Sequence, residues 1–214
     1  MRLAIFDIDG VLVRRSSERA FWKYLLHHKR QRPRQLLSWL LCLFRYLPAV
    51  GVHAVKMNKS YLAGLDRRDV ETLAESFAAE WAPRNWYEPA VRRLEEHQLR
   101  GDTVVLLSGT LEPLASSMAA LLRVRYVIGT LPAHRNGIYL ASLPALHPFS
   151  SAKLVIADKL LRELGADWSS LTAYGDSYHD LALLDAAGEA VAVRPDRRLR
   201  GIALARNWAI LETD

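Results

Sequence analysis

Among its 214 residues the chain has one cysteine, Cys42. A single thiol excludes an internal disulfide framework and a zinc site built from several cysteines, and it fits a reducing compartment. Cys42 lies among leucines, where an inert buried thiol is the expected state. Long apolar runs are missing too. The first one, residues 2–6, meets Asp7 at once; it is too short and too acidic for a signal peptide and reads as an opening strand. The greasiest segment, residues 36–47, is interrupted by Arg45 and falls short of the roughly twenty residues that span a bilayer. There is no internal repeat and no low-complexity tract. Acidic side chains are the minority, 23 Asp and Glu against 29 Lys and Arg, for a formal charge of +6. That balance favours anionic partners without separating a phosphorylated metabolite from a membrane surface or nucleic acid. No recognisable nucleic-acid motif accompanies it, so nucleic acid is not an expected partner.

Half of the residues are hydrophobic, enough for a full-sized core. The length suits one domain, or a domain carrying a modest insertion. Residues 1–13 and 86–214 alternate short apolar runs with helical patterns, as in a parallel α/β sheet. The strand candidates are 3–6, 103–107, 126–128, 171–174 and 190–193, each apolar enough to be buried on both faces. Helical stretches 111–122 and 153–164 lie between them, the second stopped by Gly165. Asn136-Gly137 is a hairpin signal that breaks this rhythm. Residues 14–85 show helices only, including 21–26, 36–47 with Pro33 at its start, and a helix capped by Asp66. The expected architecture is a Rossmann-like core, residues 1–13 and 86–214, with an inserted all-helical cap, residues 14–85, and a small β-hairpin.

Four segments carry candidate chemistry. Phe6-Asp7-Ile8-Asp9-Gly10-Val11 closes the opening strand, where ligands of open α/β sheets collect. Two carboxylates spaced by one residue there can divide labour: Asp7 to attack phosphorus, Asp9 to protonate the leaving oxygen. A plain turn is the alternative. Leu107-Ser108-Gly109-Thr110 ends a second strand before a helix, either as a phosphate cradle of hydroxyl and backbone N–H groups or as a simple N-cap. Lys153 stands early in a helix, against the dipole, either solvated or placed to neutralise Asp7 and phosphate. Tyr174-Gly175-Asp176-Ser177-Tyr178-His179-Asp180 closes another strand, and Asp176 with Asp180 can face one way if a helix begins between them. Carboxylates at such a place suit Mg²⁺, although a cap and a surface acid are the bland alternative.

In series, these segments resemble the four motifs of the haloacid dehalogenase superfamily, over nearly the whole chain. The cap's place, between the first and second motifs, resembles the branch containing phosphoserine phosphatase. The resemblance implies a five-stranded parallel core, a mobile cap and a Mg²⁺-dependent phosphatase working through an aspartyl-phosphate. Asp7 would be nucleophile and metal ligand, Asp9 general acid and a metal ligand through its carbonyl, and Asp176 a further ligand. Ser108 and the Gly109 N–H would bind phosphate, Lys153 would steady Asp7 and the phosphoryl oxygens, and Asp180 would orient Lys153 or a metal-bound water.

The cap departs from phosphoserine phosphatase. Where that family carries a Glu for the substrate amine, this chain has Arg14-Arg15-Ser16-Ser17, with Glu18 slightly later. The second motif reads Ser108-Gly109-Thr110 rather than Ser-Gly-Gly. The expected substrate is therefore a small phosphorylated metabolite other than phosphoserine. The alternatives are a lipid phosphate at the membrane surface, resembling phosphatidylglycerophosphate, or phosphotransfer to another acceptor. Residues 36–47 follow the basic run His27-His28-Lys29-Arg30-Gln31-Arg32-Pro33-Arg34, so this segment can touch a membrane interface. Burial against neighbouring helices is the preferred expectation. The expected location is the cytoplasm, with the inner membrane surface within reach of the cap.

Overall fold

The computed structural model describes residues 1–28, 33–51 and 53–212. The chain opens with β1 (Leu3–Phe6) and continues through α1 (Ser17–His27), α2 (Pro33–Val50), α3 (His53–Met57), α4 (Arg67–Trp81) and α5 (Glu88–Leu99). Next come β2 (Thr103–Leu111), α6 (Glu112–Leu121), β3 (Tyr126–Thr130), β4 (His134–Arg135) and β5 (Ile138–Tyr139). The remainder is α7 (Ser151–Leu164), β6 (Leu171–Gly175), α8 (Leu181–Ala186), β7 (Glu189–Val193), α9 (Arg197–Ala205) and β8 (Ala209–Leu211).

Six strands form one parallel sheet in the order β3-β2-β1-β6-β7-β8. All four residues of β1 are buried, as a central strand covered on both faces requires. Ala4 and Phe6 face one layer with Leu94 of α5 and Met118 of α6; Leu3 and Ile5 face the other with Leu161 of α7 and Leu199 of α9. Phe6 stacks on Tyr174 of β6 at 4.0 Å, so the two strand ends that precede the acidic motifs are locked together. A third cluster joins Phe21 and Leu25 of α1 and Phe77 of α4 to Leu114 of α6, seating the helical insertion on the sheet domain. Burying each such side chain is worth roughly 1.5–3 kcal/mol.

Several local expectations hold. Asp66 accepts a hydrogen bond from the Arg68 N–H at 2.8 Å and starts α4. Gly165 ends α7 in the left-handed conformation, φ +65°. Asn136 and Gly137 take φ +50° and +79°, the mirror-image turn joining β4 to β5.

Others need correction. The sheet has six strands, not five, because Ala209–Leu211 pairs with β7; three residues give too short an apolar run to read as a strand. Strand β2 runs on to Leu111 with a register shift after Leu107, so α6 begins at Glu112 and neither Ser108 nor Thr110 caps it. Much of the apolar surface of α2 is not buried: Leu37, Leu41 and Phe44 are 56, 61 and 70% exposed, because only the opposite face packs inward. Of the basic run, residues 29–32 lie outside the described residues. Cys42 is buried, as expected.

Candidate active site

With β1 in the middle of the sheet, β2 and β3 extend to one side and β6, β7 and β8 to the other. The side on which successive strands are added switches at β1, and the crevice beyond the strand ends there is where an open sheet binds ligands. Asp7 leaves β1 and Asp176 leaves β6, next to each other. The Asp7 N–H still donates to the Tyr174 carbonyl at 3.2 Å, and its Oδ1 accepts from the Ile8 N–H at 2.6 Å. Gly10 then takes φ +85°, and a side chain there would run into the Asp176 carboxylate. The motif needs glycine for close approach as well as for its turn.

Lys153 reaches this place from the first turn of α7 and is 3% exposed. Its Nζ donates to Asp7 Oδ2 and to Asp180 Oδ1, each at 2.6 Å. Burial alone would discharge the ammonium, but the Asp180 and Asp7 carboxylates outweigh it and hold its pKa above the ordinary lysine value. Asp180 sits in the single turn after β6, as the spacing of the fourth motif predicts. Its Oδ2 accepts from the Ser177 N–H and hydroxyl, both at 3.3 Å, so each of its oxygens is engaged. Gly175 leaves room for it: an added Cβ would lie 2.6 Å from the Asp180 Cβ.

Asp7, Asp176 and Asp180 bring carboxylate oxygens within 4.8 Å of one another. Burial raises the Asp7 pKa, with Lys153 opposing and Asp180 adding to the rise. Asp176 is pushed up to about 8, by burial first and then by the charges of Asp7 and Asp180. Three acids around one ammonium leave negative charge uncompensated, the condition a hard divalent cation relieves. With Asp180 bound to Lys153 and Ser177, the Asp7 and Asp176 carboxylates are the donors left to face a hard cation, a set that fits Mg²⁺.

Asp9 points elsewhere. Its Oδ1 accepts from the Ser17 N–H at 3.0 Å, at the start of α1, so the insertion holds this carboxyl directly. Burial raises its pKa to about 6, against the lowering effect of the Ser17 hydrogen bonds. Ser108 is 1% exposed, its hydroxyl donating to Thr110 Oγ1 at 3.0 Å and accepting from the Thr110 N–H at 3.2 Å. Thr130 donates to the Gly109 carbonyl at 2.6 Å and fixes that peptide plane. All seven residues singled out in the sequence, Asp7, Asp9, Ser108, Gly109, Lys153, Asp176 and Asp180, line one cavity of about 880 Å³.

The insertion forms the far side of this cavity, and most of its contributions carried no sequence signal. Glu18 faces in, but Lys59 Nζ lies 2.5 Å from its Oε2 and the Tyr61 hydroxyl donates to its Oε1 at 2.9 Å. Lys59 is 4% exposed, which a lone Lys between helices does not announce. Lys56 of α3 lies 4.4 Å from the centre of the Phe149 ring, bridging insertion and sheet domain. Of the tryptophans, Trp22 and Trp39 line the cavity, whereas Trp81 stacks on Phe77.

The comparisons with known proteins agree with this geometry. A family profile described as haloacid dehalogenase-like hydrolase matches residues 4–185. The chain belongs to that family. A histidinol-phosphatase of Neisseria meningitidis is 29% identical over 217 residues, covering 98% of this chain and 97% of the relative. A Mycobacterium tuberculosis protein named phosphoserine phosphatase is 27% identical over 213 residues, covering 97% of this chain and 69% of the relative. A solved structure of a Bordetella pertussis protein of unknown function superposes with a TM-score of 0.83 at 24% identity, over 99% of this chain and 98% of the other. The protein is an enzyme, a phosphatase-type hydrolase of the haloacid dehalogenase kind.

Proposed function

We propose that the chain is a Mg²⁺-dependent phosphomonoesterase that passes its phosphoryl group through Asp7. The observation that carries this reading is the convergence of Asp7, Lys153, Asp176 and Asp180 beside a separately held Asp9. Asp7 attacks phosphorus in line with the ester oxygen, and the phosphorus–oxygen bond to the leaving alcohol breaks. Asp9, with a pKa near 6, gives that oxygen its proton and then, as the base, draws a proton from the water that hydrolyses the aspartyl-phosphate. Lys153, the Ser108 hydroxyl and the Gly109 N–H hold the equatorial oxygens, where negative charge spreads in the transition state. Bound Mg²⁺ would supply further charge neutralisation at Asp7 and the phosphoryl oxygens. Asp180 acts through Lys153, which it keeps charged and aimed.

In this reading residues 14–85 are the cap, residues 1–13 and 86–214 are the catalytic core, and the enzyme works in the cytoplasm. The relatives named for phosphoserine and histidinol phosphate support a small organic phosphomonoester as the reacting group. Glu18, already paired with Lys59 and Tyr61, leaves less scope for a substrate ammonium. Phosphate release from a panel of phosphomonoesters, with and without Mg²⁺ and beside Asp7→Asn, tests the proposal. Metal-dependent release that vanishes in the variant supports it; full turnover by Asp7→Asn refutes it.

A further inference from the structure

Residues 19–65 contain nine Lys and Arg and neither Asp nor Glu, while the whole chain carries only +6. The positive excess is therefore confined to this segment, and the rest of the chain is net acidic. Within it, α2 exposes Leu36, Leu40, Phe44 and Leu47 at a spacing of four, four and three residues, with Leu37 and Leu41 beside them. This is one helical face. The opposite face packs inward: Gln35 and Cys42 are buried, the Asn58 side chain donates to the Trp39 carbonyl at 2.7 Å, and the Ser60 hydroxyl donates to the Ser38 carbonyl at 3.2 Å. Arg34 and Arg45, both exposed, border the apolar face.

The face is continuous with the active-site cavity. Leu36 belongs to both, and Trp22, Leu26 and Val55, each between 39 and 53% exposed, carry the apolar wall from α2 toward Asp7. A soluble surface seldom leaves so connected an apolar patch uncovered. Eighteen residues of helix span about 27 Å, short of the hydrocarbon core of about 30 Å, and Arg45 lies within them. Among the described residues no helix is long and apolar enough to cross a membrane. An apolar face edged by cations and free of acids instead fits the plane of an anionic bilayer. A second copy is a poor occupant, since it would bring two strongly cationic segments together.

Resting on the phosphomonoesterase reading of Asp7, we infer that α2 seats the enzyme on an anionic bilayer and that its phosphomonoester is the headgroup of a lipid. The phosphate enters beneath the cap while the apolar body of the substrate lies along Leu36 and Val55 toward the membrane. The chemistry at Asp7 is unchanged.

The test uses the full chain and the double variant Leu41→Glu, Phe44→Glu, whose sites lie outside the cavity. Wild type is expected to sediment with vesicles of phosphatidylcholine and phosphatidylglycerol and to stay in solution with phosphatidylcholine alone. The variant is expected to stay in solution with both. In vesicles, phosphatidic acid or phosphatidylglycerophosphate is expected to turn over at least tenfold faster than its deacylated counterpart. The variant is expected to lose at least tenfold on the lipid and to keep p-nitrophenyl phosphate turnover within twofold. Absence of vesicle binding by wild type overturns the inference, as does equal turnover of lipid and deacylated ester. A wild-type dimer that the variant dissociates, without vesicle binding, assigns the face to a second copy and also overturns it. Sedimentation needs no catalysis, so failure of the Asp7 chemistry, read as full turnover by Asp7→Asn, is seen separately.

Discussion

Replacing Lys153 by Met keeps the length of the side chain and removes the ammonium that lies 2.6 Å from both Asp7 and Asp180. Lys153 and Asp180 are each 3% exposed and Asp7 13%, so solvent cannot take over its role. Breaking a buried pair by deleting one partner typically destabilises by about 3–5 kcal/mol, because an uncompensated charge stays behind. For a chain of this size that corresponds to a fall in Tm of roughly 6–20 °C. The loss should depend on pH in a direction fixed by the acids. Without Lys153 the pKa of Asp7 in the folded protein, already raised by burial, rises further above that in the unfolded chain. Such a group costs nothing while protonated in both states, and it destabilises as pH climbs from about 4 through the raised value. Lys153 itself stays charged throughout, since its folded pKa lies above the ordinary lysine range and its contribution fades only above pH 10.5. Denaturant unfolding of wild type and Lys153→Met in EDTA, at pH 5 and pH 8, measures the difference. The variant is expected to lose about 3–5 kcal/mol at pH 8 and less than half of that at pH 5. A loss below about 1 kcal/mol at pH 8, or one equal at both pH values, refutes the account of the buried triad.

Asp9→Asn should lower turnover of an alkyl phosphate by about 10²–10⁴-fold. It should cost far less on an aryl ester whose leaving group needs no proton; steady-state kinetics on the two ester types make the comparison. Gly10→Ala places a methyl group against the Asp176 carboxylate at a backbone φ of +85°, so Mg²⁺ activation should weaken at least tenfold with the fold kept by circular dichroism. Mg²⁺ should raise Tm more at pH 8 than at pH 6, because the Asp176 proton, held up to about pH 8, must leave before the carboxylate can bind metal. Differential scanning fluorimetry in EDTA and in Mg²⁺ checks this, and an increment independent of pH contradicts it.

Much of the site was legible because its parts are short and stand at strand ends. Asp7, Ser108 and Asp176 each follow a run apolar enough to be a buried strand, and Lys153 lies where a Lys conflicts with a helix dipole. The end of β2 was placed too early, at Leu107, because Ser108 and Thr110 look like helix caps. Instead, their side chains bond each other and β2 continues to Leu111. Strand β8 was missed because Ala209–Leu211 is only three residues long and owes its conformation to pairing with β7. The fate of α2 could not be read either. Its leucines cover a wide arc, and periodicity does not tell which part of that arc the neighbours will cover. Lys59 and Tyr61 reach Glu18 from more than forty residues away, a contact that no local pattern encodes.

The central claim is that phosphate passes through Asp7. Enzyme mixed with a turned-over phosphomonoester and Mg²⁺, quenched in acid and reduced with borohydride, reports this directly by peptide mass spectrometry. Conversion of Asp7 to homoserine, absent when Mg²⁺ is replaced by EDTA, is the predicted result. An unmodified Asp7 in enzyme that is releasing phosphate, or reduction at Asp9 or Asp176 instead, contradicts the account.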